Sequence, residues 1–209
     1  MLTDTHSHKV NTGLVNTLYN IRINEDALSL PHGPRLYFSA GIHPWDAAMF
    51  QPAWLEKLNI LLNYQQVIAI GECGLDKNKP IPLSVQSEVF ERQIILSEIS
   101  CKPLIVHCVG YFNELIELHK KHSPVQSWII HGFRGKPELA TQLLKAGFYL
   151  SFGEKHNPES VELTPFDRLL IETDDSEASP EDVFAVINTI KAGKPEDYTA
   201  AATLFKIQK

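Results

Sequence analysis

Near its start the chain reads "DTHSH", placing Asp4, His6 and His8 at alternate positions. In an extended strand, residues i, i+2 and i+4 project to one face. Neutral imidazole is the commonest protein ligand for divalent transition metals. Alone, the phrase is balanced between a metal-binding strand and an accidentally His-rich chain end. Further along, short apolar runs end in the same residue types: "RLYFSAGIH" in His43, "VIAIGE" in Glu72, "PLIVH" in His107, "WIIH" in His131 and "LLIETD" in Asp174. A lone His after an apolar run is ordinarily a satisfied rim residue. Several such runs carry more weight, because ionisable groups gathered and buried together are costly without a compensating cation. His6, His8, Glu72, His107, His131 and Asp174 make four imidazoles and two carboxylates, more than one tetrahedral zinc requires. They suit two divalent ions sharing a carboxylate, which can activate a water and clamp an attacked phosphoryl or carbonyl oxygen.

The elements that must position these residues follow from hydrophobic pattern. Runs at 35–43, 67–72, 103–108, 127–133, 148–152 and 168–173 read as buried strands, with 1–6 and 17–23 as two more. Helix-like segments lie at 52–64, 84–101, 111–122, 136–146, 180–192 and 195–207. Pro52 and Pro137 suit first turns. Ser84 and either Gly110 or Asn113 suit helix starts, and Gly147 a stop. "SPEDVF" and "KPEDYT" each put Pro and then acids in a first turn. Alternating strands and helices predict a parallel sheet. About eight strands predict an α/β fold of the (β/α)8 TIM-barrel type, whose C-terminal strand ends meet at one rim. Such barrels typically run to about 250 residues, so a chain of 209 is abridged. The shortage falls near the N-terminus, where "SHKVNTGLVN" is too short for a helical crossover. No repeat or linker marks a second domain, so residues 1–209 are expected to form a single one.

Composition narrows the function. The apolar fraction of 44% supports one sizeable core and excludes a disordered chain. A net charge of −6 argues against a broad basic nucleic-acid surface while leaving room for a local basic cleft. Three cysteines without zinc-knuckle spacing read as reduced thiols of a cytoplasmic protein. Neither a signal sequence nor an apolar run of bilayer length is present, so no membrane association is expected.

The phrases "DTHSH", "GIHP", "GECGLD", "PLIVH", "HGF", "LSFG" and "LLIETD", in this order, resemble those of the TatD family of metal-dependent hydrolases, amidohydrolase-like barrels. "GECGLD" and "ETD" are the most specific; a bare HxH start also occurs in PHP-type phosphoesterases. The resemblance implies a dinuclear site. His6 and His8 match the pair on one ion, Glu72 the carboxylate bridging both, and His107 and His131 the ligands of the second. Asp174 matches the aspartate that binds the first ion and takes a proton from the nucleophilic water. Asp174 and Glu72 are thus the catalytic carboxylates, with magnesium, zinc, manganese or nickel as metals. Relatives of this kind hydrolyse phosphodiesters, several as DNases, which implies nucleic acid ends or nucleotides as substrate. Besides the short front of the chain, three features depart from the family: Val109-Gly110 follows "PLIVHC", Asp175-Ser-Glu177 follows "ETD", and Ala200 stands where relatives often carry Asn. The added acids repel a phosphate backbone.

Around this set, His43 and Arg134 are expected to contact substrate, though Arg134 and Lys136 also fit a solvated loop. Glu172, two residues before Asp174, is expected to support the ligands. Asp76 is expected to shape its loop or support the site, Trp45 to pack at the rim, with stacking on a base or sugar as its alternative, and Cys73 and Cys108 to have no chemistry. The expected function is a divalent-metal-dependent phosphodiesterase or deoxyribonuclease. Its rivals are hydrolysis of a small ester, lactone or amide by the same site, and metal binding without turnover.

Overall fold

A computed structural model describes residues 2–10, 15–24 and 31–207. The strands are β1 (Thr3–Ser7), β2 (Asn16–Arg22), β3 (Leu36–Gly41), β4 (Val67–Asp76), β5 (Leu104–Val109), β6 (Trp128–Ile130), β7 (Tyr149–Phe152) and β8 (Leu169–Ile171). They form one sheet in chain order. β1–β2, β3–β4, β4–β5, β6–β7 and β7–β8 pair in parallel. A parallel bridge from Ser7 to Asp174 links β1 to the segment after β8. Parallel strands in chain order, with the last returning to the first, is the connectivity of a (β/α)8 barrel. The helices are α1 (Pro52–Leu61), α2 (Leu83–Ser100), α3 (Phe112–His122), α4 (Pro137–Lys145), α5 (Pro158–Leu163), α6 (Pro180–Lys191) and α7 (Ala200–Phe205). Among the described residues no helix lies between β1 and β2, which is the expected abridgement.

The chain divides into two compact units. One comprises Met1–Tyr19, Gly33–Tyr37 and Ile129–Lys209; its core includes Leu18, Phe133, Phe148, Phe152 and Ile187. The other comprises Asn20–His32 and Phe38–Trp128; its core includes Phe38, Leu58, Ile70, Phe90 and Trp128. Each fully buried Leu or Phe contributes roughly 1.5–3 kcal/mol. On α2 the buried face recurs at helical spacing through Gln86, Val89, Phe90, Gln93, Ile94 and Ser97.

Several helix ends differ from expectation. Pro52 and Pro137 do open their helices, and Ser179 with Asp182 forms a capping box at α6. Ser84 and Asn113 cap nothing: Pro82 and Tyr111 hold those N-cap positions, without side-chain bonds. The helix expected at 195–207 breaks into a 3-10 turn at Pro195–Asp197 and the short α7. There Asp197 Oδ2 accepts the Lys194 N–H at 2.7 Å, a local bond that closes a turn in place of continued helix. Helix α5 lies outside the predicted segments, although "NPES" carries its signal: Asn157 Oδ1 accepts the Ser160 N–H and Pro158 opens the first turn.

Candidate metal centre

In the first unit, β1 pairs with β2 through Thr3↔Asn16 and Asp4↔Thr17, then slips to Ser7↔Tyr19, so β1 carries one extra residue between Asp4 and Ser7. A bulge of this kind breaks the alternation of faces. This corrects the expectation that Asp4 projects with His6 and His8. Asp4 is buried and accepts both the Thr173 N–H (2.9 Å) and the Thr173 hydroxyl (2.7 Å). Burial pushes its pKa up to about 7, against the lowering effect of those bonds. His6, fully buried, and His8, half-buried, each direct Nε2 at the same Asp174 Oδ1, at 3.7 and 3.6 Å. Asp174 has φ +54, in the left-handed region. Such a conformation in a non-glycine residue costs on the order of 1–3 kcal/mol. It is held from both sides: the Asp174 N–H donates to His6 O (2.9 Å), and its carbonyl accepts the His8 N–H (3.3 Å).

His131, at the end of β6, lies beside His6 with ring centroids 4.3 Å apart. Its Nδ1 is 3.5 Å from Glu172 Oε1, which accepts the Gly132 N–H at 2.5 Å. Glu172 is fully buried. Burial raises its pKa, but the hydrogen bond and charge of His131 and the charge of His6 outweigh it and hold the carboxyl below its ordinary value. Among the described residues of this unit, two sets bring donor atoms within 4.8 Å of one another: His6, His8 and Asp174, and His131, Glu172 and Asp174.

In the second unit, β4 carries "VIAIGECGLD" throughout. Its register with β5 runs Ile70↔Leu104 and then Cys73↔Val106, leaving one extra residue around Gly71-Glu72, whose peptide bond is cis. Both glycines of the motif are required. A Cβ at Gly71 (φ +149) would lie 2.5 Å from Ile105 O, and one at Gly74 (φ +135) 2.1 Å from His107 O. Glu72 Oε1 contacts His43 Nε2 at 3.1 Å and His107 Nδ1 at 2.7 Å. His107 Nε2 is 3.0 Å from Asp76 Oδ2. His43 Nδ1 accepts the Trp45 backbone N–H (3.2 Å), so Nε2 carries the hydrogen and donates to Glu72. Burial lowers the His43 pKa, against Glu72, which agrees with that neutral ring. Burial also raises the Asp76 carboxyl, but bonds from Trp45, Asn78 and His107 outweigh it and leave it below its ordinary range. His43, Glu72 and His107 form a third donor set. His43, expected to contact substrate, is thus buried and joined to Glu72.

The donor chemistry fits divalent cations. Donors about 2.0–2.1 Å from a tetrahedral ion lie roughly 3.3 Å apart, close to the 3.6 and 3.7 Å found between His8, His6 and Asp174. His131 and His107 also each have a carboxylate behind one nitrogen, Glu172 and Asp76, the usual support of a metal-binding imidazole. Arg134, with Lys155, Glu172, Asp174, Asp175 and Ser176, lines a cavity of about 140 Å³. Cys73 is buried, its thiol pushed well up by burial, and Cys108 is pushed up to about 12, so neither is a nucleophile at neutral pH.

Buried amides that sequence reasoning missed hold this geometry. Asn20 Oδ1 accepts the Glu72 N–H at 2.8 Å. Gln86 brackets Asp76, accepting its N–H (2.7 Å) and donating to its carbonyl (3.0 Å). Gln93 does the same for Ile42 (2.7 and 3.0 Å). Strand ends that leave the ladder need such partners for their backbone groups. The available signal was the seven-residue spacing of Gln86 and Gln93, which puts both on the buried face of α2.

Among the described residues, no helix is long and apolar enough to cross a membrane. The pattern of the TatD related DNase family matches residues 4–205. The metal-dependent hydrolase YabD of Bacillus subtilis, itself uncharacterized, is 36% identical over 151 residues, covering 66% of this chain and 58% of that protein. The 3'-5' ssDNA/RNA exonuclease TatD of Salmonella typhimurium is 30% identical over 182 residues, covering 82% of this chain and 70% of that one. The match therefore spans little more than half of YabD's length. In structure, the TatD homologue YJJV from Escherichia coli k12 superposes with a TM-score of 0.82 at 20% identity, over 99% of this chain and 98% of that one, which establishes the (β/α)8 fold. By the extent of the family match, this chain belongs to the TatD related DNase family.

Proposed function

We propose that residues 1–209 act as one hydrolase domain that cleaves phosphodiesters at nucleic acid ends or in nucleotides, using two divalent ions. The observation that carries this is the convergence of His6 and His8 on one Asp174 oxygen at 3.6–3.7 Å. Such ions would be held by His6, His8, Glu72, His107, His131 and Asp174, with Glu72 the ligand common to both in this reading. Bound there, divalent cations supply Lewis acidity and a water activated at neutral pH. The protein's own groups do the rest. Asp174 Oδ takes the proton of the attacking water, as a carboxylate within reach can. Glu172 and Asp76 fix the rings of His131 and His107. Arg134, which lines the same cavity as Asp174, pairs with a phosphate oxygen. The names of the Salmonella exonuclease and of the family support nucleic acid as the substrate class.

One observation favours a second reading, hydrolysis of a small neutral ester, lactone or amide. Glu154 and Asp175 line the same cavity as Arg134 and oppose an anionic substrate. Turnover by metal-reconstituted protein of single-stranded DNA and other phosphodiesters, beside neutral carboxyl esters, separates the two. Phosphodiester cleavage that disappears in Asp174→Asn is the expected result. Turnover of carboxyl esters alone would replace the first reading by the second, and no turnover with two ions bound would leave a metal-binding protein.

A further inference from the structure

Trp45 has no part in the metal chemistry, yet it is the most conspicuous side chain beside the second unit's donor set. It begins the 3-10 helix Pro44–Met49 at its second residue and is 40% exposed. An exposed indole is usually mobile. This one is fixed: its Nε1–H donates to Asp76 Oδ2 at 2.6 Å and its backbone N–H to His43 Nδ1 at 3.2 Å. Asp76 is the same carboxylate that contacts His107. The ring lies edge-on to His43 at 4.8 Å and to His107 at 6.2 Å between centroids. Two cations attend it. Lys79 Nζ sits 3.7 Å from the ring centre, and the Arg22 guanidinium 5.7 Å, the latter held by Asp46 at 2.5 and 2.7 Å.

A rigid, exposed ring with cations at its face, one ring's width from metal donors, matches a ligand that is both flat and anionic. A nucleotide has both properties. Resting on the proposal that this site cleaves phosphodiesters, we propose that Trp45 is a stacking platform for an unpaired base of single-stranded nucleic acid, next to the bond that is cut, with Lys79 leaving the ring face to pair with the adjoining phosphate. The magnitudes favour the exchange. An exposed lysine–aromatic contact is worth roughly 2- to 5-fold in an equilibrium, whereas a base stacked on an aromatic side chain is worth roughly 5- to 150-fold. The displaced ammonium then gains a phosphate partner.

The test compares a short single-stranded oligonucleotide with one of the same length and charge carrying abasic residues at its cleaved end. In metal-loaded wild-type protein, KM is expected to be about tenfold lower for the oligonucleotide with bases. Trp45→Leu removes the ring and should bring this ratio close to 1. Trp45→Phe loses the same bond to Asp76 but keeps a ring, and should retain most of the ratio, which separates stacking from support of Asp76. Lys79→Met should raise KM for both substrates by a similar factor. A base preference that survives in Trp45→Leu, or is absent from the wild type, overturns the proposal. If the wild type cleaves neither substrate, the phosphodiesterase reading fails separately. Anisotropy of the labelled oligonucleotides with metal-loaded protein then decides: tighter binding of the base-bearing strand that Trp45→Leu abolishes supports stacking, and equal binding of both strands overturns it.

Discussion

The two units hold the same residue types in different states. In the first, His6 and His8 stand 3.6–3.7 Å from Asp174, beyond hydrogen-bond reach and close to the spacing of ligands on one ion. The backbone does the holding there, through the bonds joining Asp174 to His6 and His8. In the second, Glu72 contacts His43 and His107 at 3.1 and 2.7 Å, and His107 reaches Asp76 at 3.0 Å, so the donors satisfy one another. His107 has a carboxylate on each ring nitrogen, Glu72 at Nδ1 and Asp76 at Nε2. A cation taking one of these positions must replace such a bond. The lesson is that a donor cluster can be organised by its backbone or by its own hydrogen bonds, and a cluster of the second kind must exchange one of those bonds for an ion.

The largest expected effect falls on the backbone-held set. Asp174→Asn should lower turnover about 10³-fold, within the range for loss of a positioned proton acceptor, and leave the fold intact. Steady-state rates beside a thermal melt check this, and a loss below tenfold would remove Asp174 from the chemistry. Next is Glu72→Ala, which should cost at least one of two ions in elemental analysis of the dialysed protein. Retention of both would show that Glu72 does not bridge. Third, Asp76→Asn and Glu172→Gln each remove the charge behind a ligand histidine and should weaken metal binding by about 10- to 100-fold. Asp76→Asn should be the more severe, because its contact with His107 is 3.0 Å whereas that of Glu172 with His131 is 3.5 Å. The reverse order, by calorimetric titration of metal, would break the contrast between the units.

Much of this was legible in the chain, for a physical reason. A buried parallel strand reads as a short apolar run, so a polar residue closing the run points to the C-terminal half of a strand, and five such runs gave His43, Glu72, His107, His131 and Asp174, although β4 runs on past Glu72 to Asp76 and β5 past His107 to Val109. The bulges were not legible. Alternation predicts that Asp4 faces with His6, and the extra residue in β1 sends it to Thr173 instead. The partner of a backbone group is equally hidden: nothing in "GECGLD" announces that Asn20 accepts the Glu72 N–H. His43 was seen, but its role turns on which nitrogen carries the hydrogen, and that is fixed by the Trp45 N–H from the next turn.

The smallest effect sharpens the same contrast. Lys9 tethers the loop after Asp174: its Nζ donates to the carbonyls of Asp175 (3.4 Å) and Ser176 (3.1 Å) and pairs with Glu177. Glu177 is 94% exposed, and an ion pair so open to solvent contributes little. If the backbone holds Asp174 in place, removing the tether should barely matter. Lys9→Met is expected to change stability by less than about 1 kcal/mol and metal affinity by no more than about threefold, far less than Asp76→Asn. Should Lys9→Met weaken metal binding as much as Asp76→Asn does, the first set would depend on side-chain support as the second does, and the difference between the two units would lie only in their distances.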